Sequence, residues 1–532
     1  MKRISVRRVA SVIVTAMAMT LVFATLGWAM MPQWNTRPYT KHIVIASADT
    51  TITPAHANIP HEGRYRTRET RLSIKTGDGV TLPAVLREPV GAPGPRPACL
   101  FIHGSGTSGA EDFGDIANAM ASAGIVTLVP AKRNDNYTVL HRDYPRFARE
   151  YGRSLDVLRG RIGVDPAKTG IYAESEGTWI ATILTSKRQD IAFAVLTSAP
   201  VFNGREQMAM AVSAYTHEAG APKPVVKDMA KLMSLDYAPF DLAYADFDAD
   251  RYLKSLTMPV LVNYGTYDTA MPIEQGAQRI IATANKSGNE NVTVRYFAGN
   301  HQMRLVRLIH PEPAIGRRLY ASAGKLGERC DCRNQSRWMG NAQVAGATPH
   351  QRFAASQRTR SGIVGSLGVL AGLMVAGPVL IVMAAILGIG LTVFSWLQTL
   401  LAGRRSVATV RAVHATPSEL GAAQRRMLHG IAGLSAGIGT AVMVITGLLY
   451  GYMSAVGVSA VLVMPQPRLF AVGWVVLRIA TMLLVVLFAW EMERVWYCRA
   501  DIVGVRRVIC VMVALGTLAT LMTLAFWGLF SL

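Results

Sequence analysis

Hydrophobic and polar residues follow different patterns in different parts of the chain, and each pattern predicts a different class of structure. Residues 67–310 contain short apolar runs separated by turns and helical stretches. Strands that alternate with helices in this way predict a mainly parallel sheet with helices on both faces. Residues 362–532 contain long apolar runs with few charges, which predict helices that span a membrane.

The first region opens with a predicted hairpin and continues with buried strands. Residues 71–75 alternate between polar and apolar, and 80–86 form a second strand after a Thr-Gly-Asp-Gly turn. Residues 98–102 and 125–129 are uninterrupted apolar runs, as expected of strands buried on both faces. The sequence therefore predicts an α/β domain with a doubly wound, mostly parallel sheet.

Three polar or irregular segments divide the chain further. Residues 200–250 interrupt the strand–helix rhythm, which predicts either a small cap insertion or, equally, an ordinary pair of packing helices. Residues 36–66 and 311–361 predict linkers. Cys330 and Cys332 lie in the second linker as a lone Cys-x-Cys, which lacks the paired second half of a zinc site. We expect neither a metal nor another cofactor.

The N-terminal segment, residues 1–35, has the pattern of a membrane anchor. A basic start is followed by an uncharged run from Val9 to Met31. This run reaches the ~20 residues that a membrane-spanning helix needs. The apolar core of a cleaved signal peptide is shorter, roughly 7–15 residues, so the length favours a retained anchor over a cleaved signal.

The C-terminal region, residues 362–532, contains four apolar blocks. They are Ile363–Leu401, Ile431–Met464, Leu469–Trp490 and Val508–Leu532. The first two are longer than one straight crossing requires, so each is either one long helix or a hairpin.

Basic residues give the expected orientation in the membrane. The formal net charge is +21, and basic residues of membrane proteins concentrate in cytoplasmic loops. If each block crosses once, the basic segments 404–426 and 491–507 share the cytoplasmic side with the N-terminus, and residues 36–361 lie outside. This predicts a multi-pass protein of the cell membrane, with about five helices in the lipid bilayer. A basic charge alone does not indicate a nucleic-acid partner, and we expect none.

Three reactive side chains follow three separate predicted strands. Ser175 stands between a strand and a helix with Ala173 and Gly177 on either side, a spacing typical of a nucleophile elbow. Asp268 and His301 follow two later strands. The carboxyl ends of parallel strands meet at one edge of the sheet, so we expect these three side chains to converge there. A serine, a histidine base and an aspartate that orients it are the groups that acyl transfer requires.

A serine nucleophile also needs donors for the oxyanion that forms during the reaction. We expect one donor from the backbone of Glu176, which follows the nucleophile. The other is expected from Gly104 or Ser105, in the glycine-rich loop after residues 98–102.

Candidate substrate-binding residues lie beside these groups, namely His103, Glu174 and Trp179. If Glu174 and Glu176 are ionised near His301, they raise its pKa and favour a cationic substrate. Alternatively, both side chains face solvent at the turn. The sequence leaves the two interpretations open.

Two of these motifs resemble those of a known family. The His-Gly-Ser-Gly of residues 103–106 and the Ser-Glu-Gly of 175–177, with an aspartate and a histidine following in that order, resemble α/β-hydrolases of the bacterial esterase, thioesterase and serine-aminopeptidase-like group. The resemblance covers residues 67–305 and implies the fold and a Ser-His-Asp triad. The membrane region resembles no family.

The chain departs from the family pattern at several positions. Ala173, Glu174 and Thr178 replace the frequent Gly, His and Gly around the nucleophile, and Lys-Arg-Asn at 132–134 replaces Asp-Arg-Gly. These departures leave the substrate open.

We therefore expect a membrane-anchored serine hydrolase that cleaves an ester, thioester or amide through an acyl-enzyme. Its substrate would be a small-molecule, lipid or peptide acyl compound. An acyltransferase acting on a lipid or peptide acceptor is the first alternative. A hydrolase-like membrane protein that modifies a peptide, for example by isomerisation, is the second, because a fold does not by itself define a function. The sequence leaves the oligomeric state open.

Overall fold

A computed structural model describes residues 6–30, 36–52, 60–106, 108–138, 141–237, 242–303, 342–355, 362–405 and 419–531. Cys330, Cys332 and most of the predicted linker 311–361 lie outside these residues. The chain divides into two compact units. The α/β unit comprises Asn35–Ala214 and Phe240–Arg358, and the helical unit comprises Met1–Trp34, Tyr215–Pro239 and Thr359–Leu532.

Within the described residues, nine strands form one sheet in the α/β unit. They are β1 (Thr67–Lys75), β2 (Thr81–Pro89), β3 (Arg96–Ile102), β4 (Val126–Pro130), β5 (Val164–Glu174), β6 (Ala194–Thr197), β7 (Val260–Gly265), β8 (Val292–Phe297) and β9 (Val344–Gly346).

The helices alternate with the strands and then form the C-terminal region. They are α1 (Val6–Met30), α2 (Gly114–Ser122), α3 (Tyr144–Arg159), α4 (Glu176–Lys187), α5 (Gly204–Glu218), α6 (Lys223–Lys231), α7 (Asp250–Leu253), α8 (Ile273–Lys286), α9 (Leu367–Arg405), α10 (Glu419–Leu462), α11 (Pro467–Tyr497) and α12 (Val505–Phe526).

The order of the strands across the sheet is β1-β2-β4-β3-β5-β6-β7-β8-β9. The pairs β1–β2 and β2–β4 are antiparallel, and every following pair is parallel. Successive side chains of a strand point to opposite faces. In β3, Leu100 accordingly packs with helices α3 and α4, whereas Phe101 packs with α2. This confirms the predicted fold class, a doubly wound and mostly parallel sheet of the α/β-hydrolase type.

Parts of both predicted linkers belong to the α/β unit. The buried carboxylate of Glu274 accepts N–H bonds from Ile43 and Gln351, each at 2.7 Å. Strand β9 pairs with β8 at the sheet edge. The sequence did not reveal these packed segments, because a three-residue strand has no apolar run that distinguishes it from a loop.

The helical unit contains the predicted membrane spans. Among the described residues, five helices are long and apolar enough to cross a membrane: Val6–Met30, Leu367–Gln398, Gly430–Leu462, Pro467–Tyr497 and Val505–Phe526. The two long apolar blocks each form one continuous helix, not a hairpin. Helix α1 packs closely on α12, because a Cβ atom at Gly27 would lie 2.6 Å from the carbonyl oxygen of Ala525.

The segment between β6 and β7, which contains residues 200–250, carries α5, α6 and α7. That it forms a cap stays a prediction. Tyr215–Pro239, which includes α6, belongs to the helical unit. There the buried ammonium of Lys231 donates hydrogen bonds to Asp228 at 2.6 Å and to the carbonyl oxygen of Phe526 at 2.8 Å. The insertion therefore packs partly with the apolar helices, which the sequence did not indicate.

Candidate active site

The turn between β5 and α4 holds Ser175 in a strained backbone conformation. Its φ is 52° and its ψ is −126°, in a region that residues other than glycine rarely adopt. The Ser175 N–H donates to the carbonyl oxygen of Thr197 on the next strand at 2.9 Å. This strained turn between a strand and a helix is the local geometry of a nucleophile elbow.

Close packing around the turn excludes side chains from two glycine positions. A Cβ atom at Gly177 would lie 2.5 Å from the carbonyl oxygen of Ile102 and 2.7 Å from that of His103. A Cβ atom at Gly104 would lie 2.9 Å from the carbonyl oxygen of Glu174 and 3.1 Å from the Cβ of Ser175. The loop after β3 therefore lies directly against the nucleophile position.

Asp268 and His301 come from the loops after β7 and β8. His301 Nε2 lies 2.9 Å from Ser175 Oγ, and His301 Nδ1 lies 2.8 Å from Asp268 Oδ2. The hydroxyl of Ser198 donates to the backbone carbonyl oxygen of His301 at 2.5 Å and so holds the histidine loop. The three predicted triad side chains thus form one hydrogen-bonded row, although their catalytic roles stay predictions.

The surroundings of His301 favour its protonated form. Burial lowers the pKa of His301, but the charge of Asp268 and its hydrogen bond raise it, and the charge of Glu174 adds to them. The net effect raises the pKa of His301 above its ordinary value. The Asp268 side chain is 0% exposed, whereas that of His301 is 30% exposed.

The ring of His103 is enclosed by protein. It is completely buried, and its centroid lies 4.8 Å from that of the tilted Phe113 ring. Its Nε2 lies 3.0 Å from the carbonyl oxygen of Pro130. Burial lowers the pKa of His103 to about 4, so the ring is neutral at pH 7. These contacts join the ends of β3 and β4 through the ring. The predicted contact of His103 with substrate stays a prediction.

Glu174 and Trp179, the other candidate substrate residues, are mostly buried beside the elbow. Glu174 is 8% exposed and Trp179 is 6% exposed. The indole packs on Tyr144 and Phe247, with ring centroids 5.5 and 5.0 Å away. Their contact with a substrate stays a prediction.

The side chain of Glu176 lies in a cluster that the sequence did not reveal. Its Oε2 accepts hydrogen bonds from Lys132 at 2.9 Å and from Tyr137 at 2.7 Å. Its Oε1 accepts them from Tyr144 at 2.8 Å and from Arg142. The basic residues between β4 and α3 are a signal for such a partner, because the carboxyl end of β4 lies at the same sheet edge.

The cluster corrects one interpretation of the acidic residues around Ser175. Burial alone would raise the pKa of Glu176, but Lys132 and Arg142 hold it below its ordinary value. Glu176 is therefore ionised, yet its charge is compensated by two cations, and it does not face solvent. Of the two acidic neighbours, Glu174 is the one whose charge raises the pKa of His301.

The described residues contain no group of three or more His, Cys, Asp or Glu side chains that could hold a metal ion.

Several solved structures are distantly similar to the chain. No family model matches the chain, and the search of curated proteins found no match. An esterase of Pyrococcus furiosus has 15% identity and a TM-score of 0.36, covering 54% of this chain and 100% of its own. A bacterial heroin esterase has 17% identity and a TM-score of 0.37, covering 50% and 84%. Brefeldin A esterase, a bacterial protein, has 16% identity and a TM-score of 0.36, covering 61% and 87%. Similarities this distant do not indicate the function of the chain.

Proposed function

We propose that the chain is a membrane-anchored serine hydrolase that cleaves an ester, thioester or amide through an acyl-enzyme. The observation that carries the proposal is the row of hydrogen-bonded side chains from Ser175 through His301 to Asp268. A nucleophile, a base and a group that orients the base, all within hydrogen-bond distance, are the requirements for this chemistry.

The first half of the reaction forms the acyl-enzyme. The Oγ atom of Ser175 bonds to the carbonyl carbon of the substrate while Nε2 of His301 takes the hydroxyl proton. Asp268 accepts a hydrogen bond from the Nδ1–H group of the imidazole, which keeps its Nδ1 proton, and stabilises the positive charge of the ring. His301 then gives the Nε2 proton to the leaving oxygen, sulfur or nitrogen, and the bond between that atom and the carbonyl carbon breaks.

The second half repeats these steps with water. His301 takes a proton from water, the hydroxide adds to the acyl carbon, and Ser175 leaves with the returned proton. In both halves, backbone N–H groups of Glu176 and of Gly104 or Ser105 would stabilise the oxyanion. The near contact of Gly104 with Ser175 supports this assignment.

The apolar helices are proposed to anchor the enzyme in a cell membrane, with α1 retained as a signal-anchor. In this topology the hydrolase domain lies outside the cytoplasm. The basic segments 404–426 and 491–507 are assigned to the cytoplasmic side, because basic residues concentrate in cytoplasmic loops. Tethering to a bilayer suits a lipid or membrane-associated acyl substrate. It also keeps acyl transfer to a lipid acceptor as a second candidate, because exclusion of water from the acyl-enzyme favours transfer over hydrolysis.

The test is hydrolysis of p-nitrophenyl butyrate by the detergent-solubilised full chain. We expect turnover by the wild type and by Ser186→Ala, a control on the same helix α4, and at least a 10³-fold lower kcat for Ser175→Ala, roughly as in other serine hydrolases. Equal turnover by Ser175→Ala would contradict the proposal. Adding a lipid or peptide amine acceptor then separates release of butyric acid from acyl transfer.

A further inference from the structure

We propose that Lys132 is a positioning residue that sets the geometry of the oxyanion hole, because its single ammonium group holds both halves of that site. The proposal rests on the proposed function and assigns a role to a residue outside the triad. From the sequence alone, Lys132 is only one of the departures from the family pattern.

One half of the site is the loop after β3. The ammonium Nζ of Lys132 donates a hydrogen bond to the carbonyl oxygen of Gly104 at 2.9 Å. In a trans peptide the carbonyl group and the following N–H point in opposite directions. Holding the Gly104 carbonyl therefore fixes the direction of the Ser105 N–H, one of the expected oxyanion donors.

The other half is the first turn of α4. The same Nζ donates to Oε2 of Glu176 at 2.9 Å. Glu176 supplies the second expected donor through its backbone N–H. Because its side chain is held by Lys132, the helix turn that carries this N–H is tied to the loop that carries the first donor.

The surroundings of Lys132 leave it little freedom to move. Its side chain is 1% exposed, and Nζ lies 4.2 Å from the ring centroid of Tyr137, a cation–π distance. Its backbone N–H donates to the carbonyl oxygen of Ser108 at 2.8 Å. Lys132 therefore holds the loop at two points, on either side of Ser105.

This arrangement matches the geometry of an ammonium group. A lysine has three donors in a tetrahedral array, and here two reach oxygens while the ring of Tyr137 lies against the cation. A planar guanidinium does not reproduce these directions. We therefore expect Lys132→Arg to restore the charge but only part of the positioning.

The expected consequence is a loss of transition-state stabilisation with little loss of substrate binding. Removing one oxyanion donor costs about 10²–10³ in kcat in a serine protease. Misaligning a donor that is still present costs less, so we expect kcat of Lys132→Met to fall roughly 10–100-fold, with KM changed less than about threefold. The kcat of Lys132→Arg is expected to lie between those of Lys132→Met and the wild type.

The experiment uses the full chain in detergent, with p-nitrophenyl butyrate as substrate and Lys286→Met, an exposed lysine on α8, as the control. The concentration of competent enzyme is titrated with a fluorophosphonate, so that unfolded protein does not count as slow enzyme. Inhibition by an alkyl trifluoromethyl ketone, which forms an oxyanion on Ser175, is the second readout. Its Ki is expected to rise in parallel with the fall in kcat/KM.

The outcomes separate the positioning role from a structural one. A lower kcat per titrated site together with a higher Ki supports the proposal. An unchanged kcat per site and Ki would overturn it, because a purely structural lysine changes the amount of folded enzyme and not the affinity for an oxyanion. If Lys132→Met does not fold, Lys132→Arg, which keeps a positive charge beside Glu176, carries the test and is expected to show the same two changes to a smaller extent.

Failure of the proposed function is recognised separately. A wild type that neither hydrolyses the ester nor is titrated by fluorophosphonate would overturn both the proposed function and the role of Lys132. A wild type that turns over, with Ser175→Ala inactive and Lys132→Met fully active, would overturn the role of Lys132 alone.

Discussion

Asp268 contacts His301 through only one of its two carboxylate oxygens, because the other accepts hydrogen bonds from the backbone. Oδ1 accepts the backbone N–H groups of Ala270 and Met271 at 3.0 and 3.2 Å. Oδ2 lies 2.8 Å from His301 Nδ1. Because the carboxylate can only accept, Nδ1 must carry a proton, and Nε2 of the neutral ring is left to accept the proton of Ser175.

Replacing Asp268 by asparagine should therefore reverse the tautomer of His301. The amide oxygen must face the backbone N–H groups, so the amide nitrogen donates to Nδ1 and moves the ring proton to Nε2. We expect kcat to fall about 10⁴-fold with a small change in KM, as in a serine protease with this substitution. The measurement is steady-state ester hydrolysis, with the exposed Asp248→Asn as control. A loss below tenfold would contradict the orienting role of Asp268.

The value of kcat/KM should rise with pH as the His301 imidazolium loses its proton, because only the neutral imidazole accepts the proton of Ser175. The midpoint should lie above the ordinary histidine pKa, since Asp268 and Glu174 raise the pKa of His301 more than burial lowers it. In Glu174→Gln one of these charges is removed, so the midpoint of the kcat/KM profile should move to lower pH. The exposed Glu290→Gln should leave the profile unchanged. An upward shift for Glu174→Gln would show that the assigned charge effect is wrong.

A methyl group at position 177 should displace the elbow. It would lie 2.5 and 2.7 Å from two carbonyl oxygens of β3 and its loop. We expect Gly177→Ala to lower the free energy of unfolding by about 1–3 kcal/mol, as for other overpacked sites, and to lower kcat as well. Gly114→Ala is the control, because a Cβ there has no neighbour closer than 3.4 Å. Thermal unfolding and ester hydrolysis of both variants test this, and normal stability of Gly177→Ala would contradict the packing.

The buried pair of Lys231 and Asp228 should stabilise the helical unit only as a pair. Lys231→Met leaves the Asp228 carboxylate buried without its cation, which costs about 3–5 kcal/mol in other proteins. Adding Asp228→Leu removes the stranded charge, so the double variant should regain most of the lost stability. The midpoint of thermal unfolding in detergent measures both. A double variant no more stable than Lys231→Met would mean that the stranded Asp228 carboxylate is not the cause of the lost stability.

The sequence predicted the parts of the site that follow from strand ends. Ser175, Asp268 and His301 each come directly after an apolar run, and the edge of a parallel sheet brings such positions together whatever the loops between them do. The apolar helices were also found, whereas the cap assigned to residues 200–250 stays a prediction. The apolar helices follow from local pattern alone. The meeting of the three site residues follows from local pattern together with the shared edge of a parallel sheet.

The features that the sequence missed depend on contacts between distant segments. Lys132 and Arg142 meet Glu176 across 44 and 34 residues of sequence, and no spacing rule relates them. The packing of Tyr215–Pro239 in the helical unit depends on partners some 295 residues away, such as Phe526. The enclosed ring of His103 was missed for the same reason, because burial is a property of the assembled sheet and not of the motif.

The most direct test of the central claim is to find where a fluorophosphonate becomes attached to the chain. The full-length protein in detergent is labelled and digested, and the modified residue is identified by mass spectrometry. The account predicts a single phosphonylated residue, Ser175, with labelling abolished in Ser175→Ala and strongly slowed in His301→Ala. A folded wild type that stays unlabelled, or that carries the label at another serine, would contradict it.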